Sequence, residues 1–126
     1  MAEGIKTYKD LLVWQKAMGL VKTVYQVSSE FPDSERFGLK TQLQRAAVSI
    51  PSKIAEGWGR ESRKYFLNFL RISKGSLAEL ETLVIIARDL RYLDLELFEQ
   101  INDKTEEVSR MLNALIRSLS RYEPAS

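Results

Sequence analysis

The chain has 126 residues, 44% of them apolar, which suits one domain with a core of its own. It contains neither cysteine nor histidine, so disulfides, thiolate chemistry, Cys/His zinc sites and Ser-His-Asp triads are all excluded. The net charge of +2 falls well short of a strongly basic domain, and any metal would have to rest on carboxylates, which suits hard ions such as magnesium.

The N-terminal stretch MAEGIKTYKD lacks the apolar core of a signal peptide, so a cytoplasmic protein is expected. From about Asp10 to Ser29 two apolar lines share one predicted helix. Leu11, Trp14, Met18, Val21, Tyr25 and Ser28 make the first; Val13, Ala17, Leu20, Val24 and Val27 make the second. Two lines mean two buried surfaces, one for the bundle core and one for a further helix or another subunit. Phe31-Pro32-Asp33-Ser34 then breaks the pattern, with Asp33 and Ser34 as expected caps of the next helix.

The second helix is expected from about Glu35 to Gly57. Its apolar spacing, Leu43, Ala46, Ala47, Ile50 and Ile54, runs straight through Pro51. An internal proline removes a backbone donor and clashes with the preceding turn, at about 3 kcal/mol or more. Tight packing on both sides of a kinked helix is therefore expected. Trp58-Gly59 is read as the turn out, with glycine supplying the left-handed closing residue. Gly57-Trp58-Gly59 lacks the Gly-Lys-Ser/Thr ending of a phosphate loop, and no strand precedes it.

Ser62 is the expected cap of a third helix, Arg63 to Leu90, with its core line at Phe66, Leu70, Ser73, Leu77, Leu80, Val84 and Ala87. Gly75 in its middle suggests the close approach of another backbone. Asp94 should cap the fourth helix, Leu95 to Tyr122. There Phe98, Ile101, Thr105, Val108, Leu112, Leu115, Leu119 and Tyr122 keep a 3.5-residue period. No β-like alternation competes. The expected fold is all-α: one domain over residues 1–126, an up-down-up-down antiparallel four-helix bundle, with flexible tails at about 1–8 and 123–126. No apolar run approaches the roughly 20 residues of a membrane span, so no membrane role is expected.

These segments resemble one family. DLLVWQKA at 10–17, FPDSERFGL at 31–39, QLQRAAVSIPSKIAEGWGRES at 42–62 and FLRISKGSLAELET at 69–82 are similar to the four-helix-bundle proteins encoded by intervening sequences within bacterial 23S rRNA genes. The resemblance covers about residues 8–120. It implies an antiparallel bundle that forms homo-oligomers, with a pentamer the implied form. A related group of bundles serves as nucleic-acid-binding accessory factors of retroelements. The family has no accepted catalytic residues or cofactor, so none are carried over. The family usually has Asn where this chain has Lys53, a departure that adds a cation beside Pro51.

Charge gives the sharpest functional signal. Residues 1–78 hold 13 Lys/Arg against 7 Asp/Glu, and residues 79–126 hold 6 against 10. Lys53, Arg60, Arg63, Lys64, Arg71 and Lys74 form a basic row suited to a nucleic-acid backbone, where affinity comes largely from phosphate neutralisation. The competing reading is a solvated face paired with Glu99, Asp103 and Glu106 of the fourth helix. Trp58 and Tyr65 could stack on bases, though packing is the commoner use of such aromatics. Arg45, Glu56 and Glu79 adjoin core positions and suggest buried ion pairs. The expected function is a non-catalytic oligomer that binds RNA or another nucleic acid; the alternative is a protein-binding scaffold with no nucleic-acid role.

Overall fold

The computed structural model describes residues 4–121. Tyr122 and the expected C-terminal tail lie outside the described residues. Four helices make the fold: α1 (Leu12–Ser28), α2 (Leu39–Gly59), α3 (Arg63–Asp89) and α4 (Leu95–Ser120). Short 3₁₀ turns at Tyr8–Asp10 and Asp33–Glu35 precede α1 and α2. Each helix packs on two others, α1 on α2 and α4, and α3 on α2 and α4, which closes a four-membered ring. The α2–α3 seam is the most extensive. No helix among the described residues is long and apolar enough to cross a membrane.

α2 and α3, and likewise α3 and α4, run antiparallel because their links are short. Arg60–Ser62 and Leu90–Asp94 cannot span the length of a helix, which at 1.5 Å per residue is about 30–40 Å. The side-chain register agrees. Ser49 meets Ser76, Ile50 meets Ser73 and Gly57 meets Phe66, so one index falls as the other rises.

The second apolar line of α1, Val13, Ala17, Leu20, Val24 and Val27, is the one that enters the core. In the first line Leu11 and Ser28 are buried, Trp14, Met18 and Val21 half-buried, and Tyr25 exposed. The α3 line is buried throughout. Along α4, Ile101, Thr105, Val108 and Leu112 are buried, whereas Leu115 and Leu119 are half-buried.

α2 passes through Pro51, which is buried. Beside it the fully buried Ser73 hydroxyl donates to the Ile50 carbonyl at 2.9 Å, the carbonyl of the peptide that Pro51 closes. A hydroxyl in an apolar seam needs such a partner, since an unpaired one costs about 1–3 kcal/mol. Ser49 and Ser76 bond at 2.8 Å one turn away, and the Gln44 amide donates to buried Ser28 at 2.9 Å. Small residues let the helices close up. A Cβ placed on Gly57 would lie 2.5 Å from Phe69 Cβ, so only glycine fits there. Gly75 is the reverse of what its mid-helix position suggests: it is exposed, with nothing within 4 Å of the Cβ it lacks. The close approach belongs to Gly57 instead.

The helix ends follow the sequence in part. The Ser62 side chain accepts from Tyr65 N–H and that of Asp94 from Leu97 N–H, as expected. Asp33 and Ser34 do not cap α2. They are taken up by the 3₁₀ turn, and Glu35 Oε1 accepts from Leu39 N–H at 3.0 Å in their place. Glu35 Oε2 accepts from the Tyr92 hydroxyl at 3.0 Å, and Tyr92 packs on Phe31 with ring centroids 5.6 Å apart. One carboxylate thus ties the α1–α2 link to the α3–α4 link. That hydrogen bond raises the Tyr92 phenol above its ordinary 10.0, with desolvation and the Glu35 charge adding to it. Glycine closes neither α2 nor α3 among the described residues. Helix continues through Trp58 and Gly59, and the left-handed positions are Glu61 (φ 54°) and Arg91 (φ 65°). At Arg91 the chain makes a Schellman closure, with Tyr92 N–H on the Ala87 carbonyl and Arg91 N–H on that of Arg88.

Candidate nucleic-acid interface

Antiparallel packing sorts the chain's charges by bundle end, not by helix. One half of the long axis comprises residues 4–20, 49–76 and 107–121; the other comprises 21–48 and 77–106. The first half holds twelve Lys/Arg against four Asp/Glu, a net +8. The second holds seven against eleven, a net −4. The asymmetry visible along the sequence is therefore stronger in space. Every residue of the basic row lies in the positive half, and so do Lys6, Lys9, Arg110, Arg117 and Arg121 from the two ends of the chain. Sequence reasoning missed these five. The expected up-down topology could have found them, because it brings the start of α1 and the end of α4 to the α2–α3 turn.

The six row residues are not equivalent. Lys53 is half-buried on α2, bonds Glu56 Oε2 at 3.1 Å and lies 6.0 Å from the Phe69 ring, so a carboxylate already answers its charge. Arg60 caps the C-terminus of α2 and is exposed. Arg63 and Lys64 open α3, half-buried and exposed respectively, and Arg71 and Lys74 follow, both exposed. At 3.6 residues per turn the four α3 cations fall within a sector of about 100°. Among the described residues, no carboxylate lies within 4 Å of Arg60, Arg63, Lys64, Arg71 or Lys74. The expected pairing with Glu99, Asp103 and Glu106 is absent among the described residues, and antiparallel packing puts Glu99 and Asp103 in the opposite half. Among the described residues, the ion pair that does join two helices is Lys16–Glu107, at 3.7 Å between α1 and α4.

Local energetics separate cations that help the helices from cations that do not. Arg117 and Arg121 sit at the C-terminus of α4, where the helix dipole favours positive charge by about 0.3–1 kcal/mol each. Arg63 and Lys64 sit in the first turn of α3, which carries no acid, and there the same dipole opposes them. Their placement costs helix stability and raises the positive potential at that tip.

The aromatics divide likewise. Trp58 packs edge-on against Phe66, centroids 5.7 Å apart, and joins the core margin. Tyr65 does not pack inward; it is 52% exposed, within the basic row. The Arg60 guanidinium lies 5.8 Å from the Tyr65 ring centroid and 5.3 Å from that of Phe69. Arg45, Glu56 and Glu79 are all exposed, so the expected buried ion pairs do not form. The cause is helical phase: each falls one position beyond the buried stripe.

Comparison with known proteins agrees with this architecture. The family model described as "23S rRNA-intervening sequence protein" matches residues 9–114. A crystal structure of a protein of unknown function from the S23 ribosomal protein family of Bacteroides thetaiotaomicron VPI-5482 superposes with a TM-score of 0.78 at 23% identity, covering 84% of this chain and 96% of that one. No curated protein matches the sequence.

Proposed function

From the premise that the chain belongs to the 23S rRNA-intervening sequence protein family, we propose that it is a non-catalytic, oligomeric bundle that binds RNA through its basic end. The observation that carries the reading is the set of cations at the α2–α3 tip with no carboxylate within 4 Å among the described residues. Two of them, Arg63 and Lys64, sit against their own helix dipole. A phosphate backbone would neutralise them and release its counterions. Self-association is supported by the first line of α1. Trp14, Met18 and Val21 line a shallow groove against Val48 and Pro51 of α2, and exposed Tyr25 continues that face. A second copy would bury this surface, and a ring of copies, a pentamer in the form the family resemblance implies, would repeat the basic tip and multiply a weak contact.

The test is binding of a labelled single-stranded RNA at two salt concentrations. Neutralising about five phosphates of a single strand should cost roughly 100-fold in affinity between about 50 and 200 mM salt. The double reversal Arg63→Glu/Lys64→Glu should abolish binding without loss of helix content. No affinity at the lower salt, or affinity insensitive to salt, would refute the proposal. A partner captured from cells that survives nuclease digestion would instead favour the scaffold reading. For the oligomer, light scattering that returned the 14.5 kDa of one chain at micromolar concentration would be decisive against it.

A further inference from the structure

We propose that Tyr65 is a stacking platform for an unpaired base, so that the basic end takes single-stranded RNA in preference to a duplex. The inference rests on the polyanion reading above and adds to it the form of nucleic acid recognised.

Three observations carry it. The first is exposure: Tyr65 is 52% exposed although its ring is large enough to fill a core position, and the neighbouring Trp58 and Phe66 use theirs for packing. The second is rigidity. Tyr65 and Phe69 are four residues apart on α3, hence on one side of the helix. The Arg60 guanidinium lies within cation–π distance of both rings, 5.8 Å and 5.3 Å from their centroids. It backs the Tyr65 ring and limits its motion, while the exposed part of the ring remains open. The third is surroundings: Arg63 and Lys64 precede Tyr65 directly, so phosphates on either side of a stacked base would meet cations.

A duplex keeps its bases stacked on one another and presents mainly phosphates and 2′-hydroxyls. It could use the cations here but not the ring. A single strand can use both, because every base has a face to stack and the contact tolerates sequence. Arg60 has a double role in this arrangement. Its guanidinium lies over both rings, and with no carboxylate within 4 Å among the described residues its N–H groups stay available for a phosphate oxygen.

The experiment measures anisotropy of a labelled unstructured RNA of about twelve nucleotides and of a duplex of the same length, at one low salt concentration, for wild type, Tyr65→Ala and Tyr65→Phe. Wild type should favour the single strand. Tyr65→Ala should weaken the single strand about 5- to 150-fold, the range expected for one lost base stack, and leave the duplex and the salt slope unchanged. Tyr65→Phe, which keeps the ring, should bind as wild type does. Equal losses for both nucleic acids, no loss for either, or tighter binding of the duplex by wild type would overturn the stacking role. Those outcomes leave the polyanion reading standing if Arg63→Glu/Lys64→Glu still abolishes binding. If wild type binds neither RNA, the polyanion reading itself falls. Circular dichroism of each variant establishes that it folds, as expected for a substitution at an exposed position.

Discussion

Replacing each of two helical glycines by alanine should move stability in opposite directions. In a solvated helix, alanine is better than glycine by about 1 kcal/mol, because glycine loses more backbone freedom on folding. Gly75 is exposed in the middle of α3, with nothing within 4 Å of the new methyl, so Gly75→Ala should gain about 0.5–1 kcal/mol. Gly57 is buried in α2, and there the methyl would lie 2.5 Å from Phe69 Cβ and 3.3 Å from Phe66 Cδ1. Phe69 Cβ is bonded to the α3 backbone and cannot swing aside, so the helices themselves must part along their closest seam. Overpacking of this kind costs about 1–3 kcal/mol. A contact of 2.5 Å calls for the upper part of that range, about 2–3 kcal/mol, and subtracting the propensity gain of about 1 kcal/mol leaves a net loss of about 1–2 kcal/mol. Urea unfolding followed by far-UV circular dichroism, at one fixed protein concentration, reads both changes as shifts of midpoint. With a slope of about 1–2 kcal/mol per molar, Gly57→Ala should unfold about 0.5–2 M earlier and Gly75→Ala later than wild type. A Gly57→Ala protein as stable as wild type, or a destabilised Gly75→Ala, would refute the account of which glycine the α2–α3 contact requires.

Further outcomes follow from the same contacts. Ser73→Ala removes the buried hydroxyl that serves the Ile50 carbonyl and should cost about 1 kcal/mol, seen in thermal melting as a fall of about 3–5 °C. Glu35→Ala removes the acceptor of both Leu39 N–H and the Tyr92 hydroxyl, and should cost about 1–2 kcal/mol in urea titration, more than the exposed Glu79→Ala. The Tyr92 phenol is raised in the fold, so its contribution is fully present below its ordinary 10.0 and is lost as pH rises through the higher folded value. The stability difference between wild type and Tyr92→Phe should therefore hold steady at neutral pH and shrink as pH rises past 10.0; a difference that grew there would contradict the Glu35–Tyr92 bond.

How far the sequence announced the structure depends on whether a feature is set locally or between helices. The helices, their buried faces and the caps at Ser62 and Asp94 follow from spacing and side-chain chemistry within a few residues, and all were legible. Gly57 and Gly75 look alike in sequence, since both interrupt a helix. Only the register of α2 against α3 shows that Phe69 crowds one and nothing crowds the other. The cap of α2 was misread because Asp33 and Ser34 are better cap residues by type, but the intervening 3₁₀ turn places Glu35 in reach of Leu39 N–H. Glu61 adopts the left-handed backbone expected of Gly59, because helix continues through Gly59, and Arg91 takes the same conformation in the local Schellman closure of α3. At the candidate interface the row from Lys53 to Lys74 was legible as a run of cations. The exposure of Tyr65, the Glu56 partner of Lys53 and the added cations of both chain ends were not, because each depends on which helix ends come together.

Sorting of charge along the rod has a mechanical consequence. In the field of a polyanion the bundle experiences a torque that turns its cationic tip forward, so encounters would be end-on before any contact forms. The same polarity acts between copies. Two rods aligned head to head bring like tips together and resist, while a strand of phosphates laid across those tips removes the resistance. Assembly in parallel and capture of the strand would then reinforce one another, each making the other more favourable by an equal free energy.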